Sequence, residues 1–206
     1  MSQIKSFITY YLPFTKSWGF FSPIYRYLGI QGNATLIEAS DGKVMKAYPY
    51  HMTQLTMDYV VFDPKRNKTL MIVRKYEPFK NHLALTGGFA DLITGENIFD
   101  TAKREAKEEI DEDNGVFEPI TFRANKDRDP RGYTTTCVFY HEMTEEPKYR
   151  AGDDASSLVW VDVESLMSLD NDSQREFTTS DAPNNVKGIA FDHLDIIKEV
   201  IRKKVR

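Results

Sequence analysis

Apolar and polar positions along the chain fall into short blocks that predict strands and helices in turn. Residues 54–62 and 69–74 are β-rich runs, and 63–68 between them (Asp-Pro-Lys-Arg-Asn-Lys) are turn-forming. A glycine-bearing loop is expected over 86–95. Residues 98–109 predict a helix, with Asn97 placed to cap it. Further strands are expected over 117–122, 132–140 and 158–161, the last followed by a helix near 163–167. In 192–206, Leu194, Ile197, Val200 and Ile201 recur at helical spacing, and Lys203, Lys204 and Arg206 suit a helix C-terminus. No internal repeat or low-complexity tract interrupts the order. Strands and helices mixed around an acidic helix predict an α/β/α sandwich with a mixed sheet.

Residues 1–50 differ in character. Nine aromatics fall within the first thirty positions, Glu38 is the first acidic residue, and Pro13 and Pro23 break any long helix. The expectation is an aromatic-rich arm or small sheet packing on the main domain or on a second subunit. Stacking on a base or insertion at a membrane surface is the less favoured alternative.

Composition then narrows the class. The chain has 206 residues, 41% of them hydrophobic, enough for a sizeable core. A net charge of -4 argues against a general polyanion binder. The single cysteine, Cys137, excludes an internal disulfide framework and fits a reducing, cytoplasmic setting; its expected role is a small core residue in a strand. No run approaches the ~20 apolar residues of a membrane span, and the N-terminus lacks a signal-peptide layout.

The richest chemistry lies in 87–109, GGFADLITGENIFDTAKREAKEE. On a helix, Glu105, Glu108 and Glu109 stand at i, i+3 and i+4 and share a face. Like charges so placed cost an isolated helix roughly 0.2–0.5 kcal/mol per pair. A hard cation removes that repulsion, and Mg²⁺ takes carboxylate, water and phosphate oxygens at about 2.0–2.1 Å. A Glu/Lys-rich helix is by itself more often a solvated face with ion pairs. The Gly87-Gly88 pair and Glu96 at fixed intervals before it favour the metal site.

This run resembles the signature of the Nudix hydrolases, Gly-x5-Glu-x7-Arg-Glu-U-x-Glu-Glu-x-Gly-U, with U aliphatic. Glu96, seven intervening residues and Arg104-Glu105-Ala106-Lys107-Glu108-Glu109 match position by position. Seven residues instead of five separate Gly88 from Glu96, and Asp111 and Glu112 replace the last Gly-U pair. These departures touch the loop shape and the helix exit and remove no carboxylate. The resemblance implies the Nudix α/β/α fold over 51–206 and hydrolysis of a nucleoside diphosphate linked to another group. It also implies Mg²⁺ (or Mn²⁺) on Glu105, Glu108 and Glu109, with the Gly88 backbone close by. Arg104 is expected to pin the loop to the helix through Glu96 or a neighbouring carboxylate.

The flanks look like the ADP-ribose pyrophosphatase branch, including the Nudix halves of bifunctional nicotinamide-nucleotide adenylyltransferases. They are Val73-Arg74-Lys75, 83–89, 127–132, 152–155 with Trp160, and 189–193 with Ile196-Ile197. That branch usually has Trp and Pro where Leu83 and Thr86 stand. Arg74 is a candidate for a bidentate phosphate contact, against the plainer reading of a surface ion pair. Arg128 and Arg131 sit on a turn that binds substrate or is an ordinary charged hairpin. Asp153 and Asp154 are candidates for a ribose hydroxyl, a second metal or a catalytic water, or simply cap a turn. Gly87 and Gly88 let backbone approach phosphates closely. Phe89, Tyr76 or an N-terminal aromatic is a candidate to stack on adenine. The general base stays open between a glutamate of the run and Asp153 or Asp154. His193 reads as a hydrogen-bonded structural residue.

The expected reaction is cleavage of ADP-ribose into AMP and ribose 5-phosphate. Alternatives are NADH, a dinucleoside polyphosphate or an RNA cap as substrate, or a non-catalytic ADP-ribose sensor. Such sensors carry a winged helix and a degraded signature, whereas here the glutamates are intact and 46 residues follow Trp160. Without a His-x-Gly-His pattern, a stand-alone hydrolase unit is expected. A homodimer is expected by resemblance; RNA is a less favoured partner and a membrane is not expected.

Overall fold

The computed structural model describes residues 26–31, 34–38, 44–47, 53–91, 95–110, 118–143, 155–170 and 172–205. The side chains of 26–37, 44–47, 109, 110 and 155 lie outside that description. The chain divides into two compact units, Met1–Thr53 and Gln54–Arg206, three residues beyond the expected boundary at 50. In the first unit, β1 (Arg26–Gln31), β2 (Ala34–Glu38) and β3 (Val44–Ala47) form an antiparallel sheet in that order, with a bulge between Tyr27 and Gly29. Most of the expected aromatic arm precedes Arg26, outside the described residues.

The second unit runs β4 (Gln54–Asp63), β5 (Lys68–Arg74), β6 (Leu83–Ala84), β7 (Thr86–Phe89), α1 (Ile98–Ile110), β8 (Glu118–Arg123) and β9 (Thr134–Glu142). It closes with β10 (Ala155–Asp162), α2 (Val163–Ser168), a 3₁₀ turn at Ser173–Arg175 and α3 (His193–Lys204). The sheet order is β10-β5-β4-β9-β8, with β6 beside β5 and β7 beside β4. β4 and β9 are parallel from Gln54↔Thr134 to Phe62↔Glu142, and the other pairs are antiparallel, so the sheet is mixed as expected.

Side chains two apart on a strand share a face. Met57, Tyr59 and Val61 of β4 join Leu70 and Phe139 and meet Ala102 and Ala106 of α1. Val60 and Phe62 join Met71, Val73 and Val138 on the opposite face and meet Leu166 of α2 and Leu194 and Ile197 of α3. Both faces are covered, which is why Tyr59, Val60, Val61 and Phe62 of β4 follow one another as an unbroken apolar run. Ala102 and Ala106, one turn apart, are the buried apolar residues of α1 on this face, with Ile98 partly buried beside them. On the far face, Arg123–Glu199 and Lys204–Glu118 pairs tie α3 to β8.

The expected loop over 86–95 is corrected at its start, where Thr86–Phe89 is a strand. β5 pairs with β4 only at Phe62↔Thr69 and Asp63↔Lys68, and β7 fills the open half of that edge from Thr56↔Phe89 to Tyr59↔Thr86. The strand expected from residue 132 begins at Thr134, because Gly132, at φ +156°, still belongs to the preceding turn. Among the described residues no helix is long and apolar enough to cross a membrane.

Candidate active site

The site grows from the edge where β7 meets α1. Gly87, at φ +147°, lies so close to β4 that a Cβ there would stand 2.1 Å from the Met57 carbonyl oxygen. Gly88 faces the other way, and a Cβ on it would stand 2.2 Å from Glu105 Oε1. The missing side chain leaves the space that the buried Glu105 carboxylate occupies.

Asn97 caps α1, its Oδ1 accepting the N–H groups of Phe99 (2.9 Å) and Asp100 (3.1 Å). Arg104 then joins loop to helix by five contacts. Its Nε and Nη2 donate to the two oxygens of Glu96 at 2.7 and 3.1 Å, and Nη2 also reaches the Phe89 carbonyl at 3.0 Å. Nη1 donates to Glu105 Oε1 at 2.7 Å and Glu108 Oε2 at 2.9 Å. The guanidinium thus lies between the acids and offsets their repulsion, while Thr101 Oγ1 donates to Glu96 at 3.1 Å.

Bonding to Arg104 pulls the Glu96 carboxyl down from 4.5 to about 2. A group depressed on folding stabilises the fold fully above its unfolded value, and that contribution disappears as pH falls through the folded value. Acidification from pH 4.5 to about 2 is therefore expected to loosen the loop–helix junction. In Glu96→Gln this part of the acid transition, followed by circular dichroism, is expected to vanish.

A cleft opens beside Gly87 and Gly88, lined also by Asp58, Arg74, Phe89, Arg128, Asp129, Arg131, Phe191 and His193. Arg131 is held bidentately by Asp129, Nη2 to Oδ2 at 2.7 Å and Nε to Oδ1 at 3.0 Å. Its guanidinium lies over the Phe89 ring, 4.7 Å from the centroid. Arg74 donates from Nε to the Pro78 carbonyl at 2.8 Å. Arg128 is turned inward: its Nη2 and Nε grip Asp192 at 2.9 and 3.1 Å, and Nη2 lies 3.4 Å from Asp58. Burial pushes the Asp58 carboxyl up against the pull of Arg128. His193 Nδ1 accepts the Leu85 N–H at 2.8 Å, and burial takes its pKa down to about 3, so the ring is neutral at physiological pH.

Removing one partner of a buried ion pair strands the other charge and costs about 3–5 kcal/mol. Arg128 is buried and two carboxylates depend on it. Arg128→Met is accordingly expected to lower unfolding stability by about that amount, read from the urea midpoint.

The structure brings Gly88, Arg104, Glu105 and Glu108 together at the junction, and Arg74, Gly87, Phe89, Arg128 and Arg131 around the adjoining cleft. Tyr76 is exposed with Lys75 over its ring and is not among the cleft residues. The Glu109 side chain, Asp153 and Asp154, and residues 92–94 of the longer loop, lie outside the described residues. Among the described residues no three His, Cys, Asp or Glu side chains group as a metal site. The donor chemistry nonetheless fits a hard cation, since Glu105 and Glu108 offer carboxylate oxygens and the Glu105 carboxylate lies against the bare Gly88 backbone. Phe191 and Asp192 belong to the 189–193 flank already noted, whereas Asp58 was not singled out. An acid inside the apolar run of β4 was the available signal for Asp58.

A family model described as NUDIX domain matches residues 52–180. The chain belongs to the Nudix family. An ADP-ribose pyrophosphatase of Methanocaldococcus jannaschii is 34% identical over 140 residues, covering 68% of this Nudix chain and 69% of that protein. Together the two matches make the chain a Nudix hydrolase, like an ADP-ribose pyrophosphatase. A MutT/nudix family protein from Enterococcus faecalis superposes with TM-score 0.58 at 28% identity, over 76% of this chain and 63% of that one. This chain thus spans less than two thirds of the Enterococcus protein. The NUDIX domain of Shewanella oneidensis NrtR, complexed with ADP ribose, superposes with TM-score 0.60 at 22% identity, over 75% of this chain and 90% of that one. At that identity the likeness is one of fold.

Proposed function

We propose that this Nudix chain hydrolyses ADP-ribose to AMP and ribose 5-phosphate with Mg²⁺ (or Mn²⁺) as cofactor. The observation that carries the reading is the junction itself: Arg104 fixes Glu105 and Glu108 on α1, and Glu105 lies against Gly88, which lines a cleft together with Arg74 and Arg131. Glu105, Glu108 and Glu109 would hold the cation beside the Gly88 backbone. When bound, such an ion supplies charge neutralisation on a diphosphate and a water of lowered pKa.

The chain's own groups do the rest. Arg74 and Arg131 bind the anionic diphosphate through guanidinium donors. Gly87 and Gly88 admit its oxygens close to the backbone, and the exposed Phe89 ring offers a stacking surface for the base. Arg128 holds the floor of the cleft in place through Asp58 and Asp192. Asp154 joins the substrate-binding set by family resemblance alone. Water adds to one phosphorus and the bridging P–O bond breaks, giving the two monophosphates. A homodimer in the cytoplasm completes the proposal.

Turnover of ADP-ribose, NADH, a dinucleoside polyphosphate and a capped RNA should be measured in parallel with added Mg²⁺. ADP-ribose is expected to have the highest kcat/KM; cleavage no faster than that of NADH or capped RNA would sink the substrate assignment. A second reading, an ADP-ribose-responsive regulator, draws on the repressor NtrR of Acinetobacter baylyi, 26% identical over 75% of this chain and 55% of that protein.

A further inference from the structure

Phe191 adopts φ +52°, a left-handed conformation that costs an L-residue with a bulky side chain. The chain is pinned on both sides of it. Before it, the Ala190 N–H donates to the Leu83 carbonyl at 2.8 Å, and Ile189 bridges to Leu83. After it, Asp192 is gripped by Arg128 and His193 accepts the Leu85 N–H. Strain over-determined by its surroundings points to a positioned group. The ring it delivers is half-buried on the cleft wall, with Phe79 packed against it at 4.7 Å. Two cations lie over that ring, Arg74 at 5.1 Å and Arg131 at 5.6 Å from the centroid. Both distances are within cation–π range.

We propose that Phe191 is a positioning residue for anion binding: a ring locked in a strained backbone that presents the Arg74 and Arg131 guanidiniums together at the cleft. A core side chain needs only bulk, and Leu would serve as well. A ring that orients two cations needs its π face. The inference rests on the cleft taking a diphosphate, so its test uses inorganic pyrophosphate, bound by the full chain without added metal and measured calorimetrically.

Phe191→Leu is expected to weaken pyrophosphate binding about fivefold, and Phe191→Tyr to restore it to within about twofold of the original. Phe191→Gly, whose backbone adopts positive φ freely, removes the ring without a strain penalty and should lose affinity as Leu does while staying folded. With ADP-ribose, KM of Phe191→Leu should rise by the same factor while kcat stays within about twofold. Equal affinity in the original protein and Phe191→Leu, equal loss in Leu and Tyr, or no pyrophosphate binding by the original protein each overturns the proposal. A protein that shows the expected pyrophosphate pattern yet does not cleave ADP-ribose would overturn the proposed reaction and leave this role standing.

Discussion

Glu105→Gln is expected to leave the chain folded and to lower ADP-ribose hydrolysis by about a thousandfold. Glu105 is the buried member of the acidic face, its carboxylate seated against Gly88 and bonded to Arg104. An amide keeps the shape but removes the negative charge that a hard cation requires. Metal-based stabilisation of developing charge is worth several kcal/mol, and each 1.4 kcal/mol or so is a factor of ten in rate. Arg104 keeps its contacts to Glu96, the Phe89 carbonyl and Glu108, so the thermal midpoint should move little. Steady-state kinetics with a melting curve on the same sample checks both parts. A variant within tenfold of the original rate would remove Glu105 from the site.

The two adjacent glycines should separate activity from stability. Alanine at position 88 places its Cβ 2.2 Å from Glu105 Oε1 and 2.5 Å from Oε2, both at the far end of a side chain. Glu105 can swing away, so Gly88→Ala is expected to fold and to lose about a hundredfold in kcat, roughly 2.7 kcal/mol of barrier. Alanine at position 87 meets the Met57 carbonyl oxygen at 2.1 Å and Asp58 Cα at 2.9 Å, both backbone of a central strand, at φ +147°. No side chain there can yield. Gly87→Ala should cost about 3 kcal/mol or more of stability. Denaturant midpoints and kcat for the pair test the contrast, and the reverse ordering would contradict the placement of β7.

The elements that could be read from residues alone are those whose pattern is local. β4 and β5 show as β-rich runs, α3 by its helical spacing, Asn97 by its cap, and α1 by its three acids in one short run. β7 hides because Gly-Gly reads as loop, and what makes it a strand is an edge of β4 some thirty residues earlier. The ion cluster beneath the cleft hides for the same reason. Arg128 meets Asp58 across 70 residues and Asp192 across 64, separations over which no spacing rule operates. Arg128 could be placed on a turn from the sequence, but not its burial between two carboxylates. His193 was read as structural, and its bond to the Leu85 N–H gives that role a partner.

Cleavage of ADP-ribose by the acids of α1 and the cleft beside them is read most directly from its products. The direct measurement is to incubate the full chain with ADP-ribose and Mg²⁺ and identify the products by chromatography and mass. AMP and ribose 5-phosphate should appear in equal amounts and cease on addition of a chelator. Tight binding of ADP-ribose with no cleavage under either Mg²⁺ or Mn²⁺ would contradict the account and make the chain a sensor of that ligand.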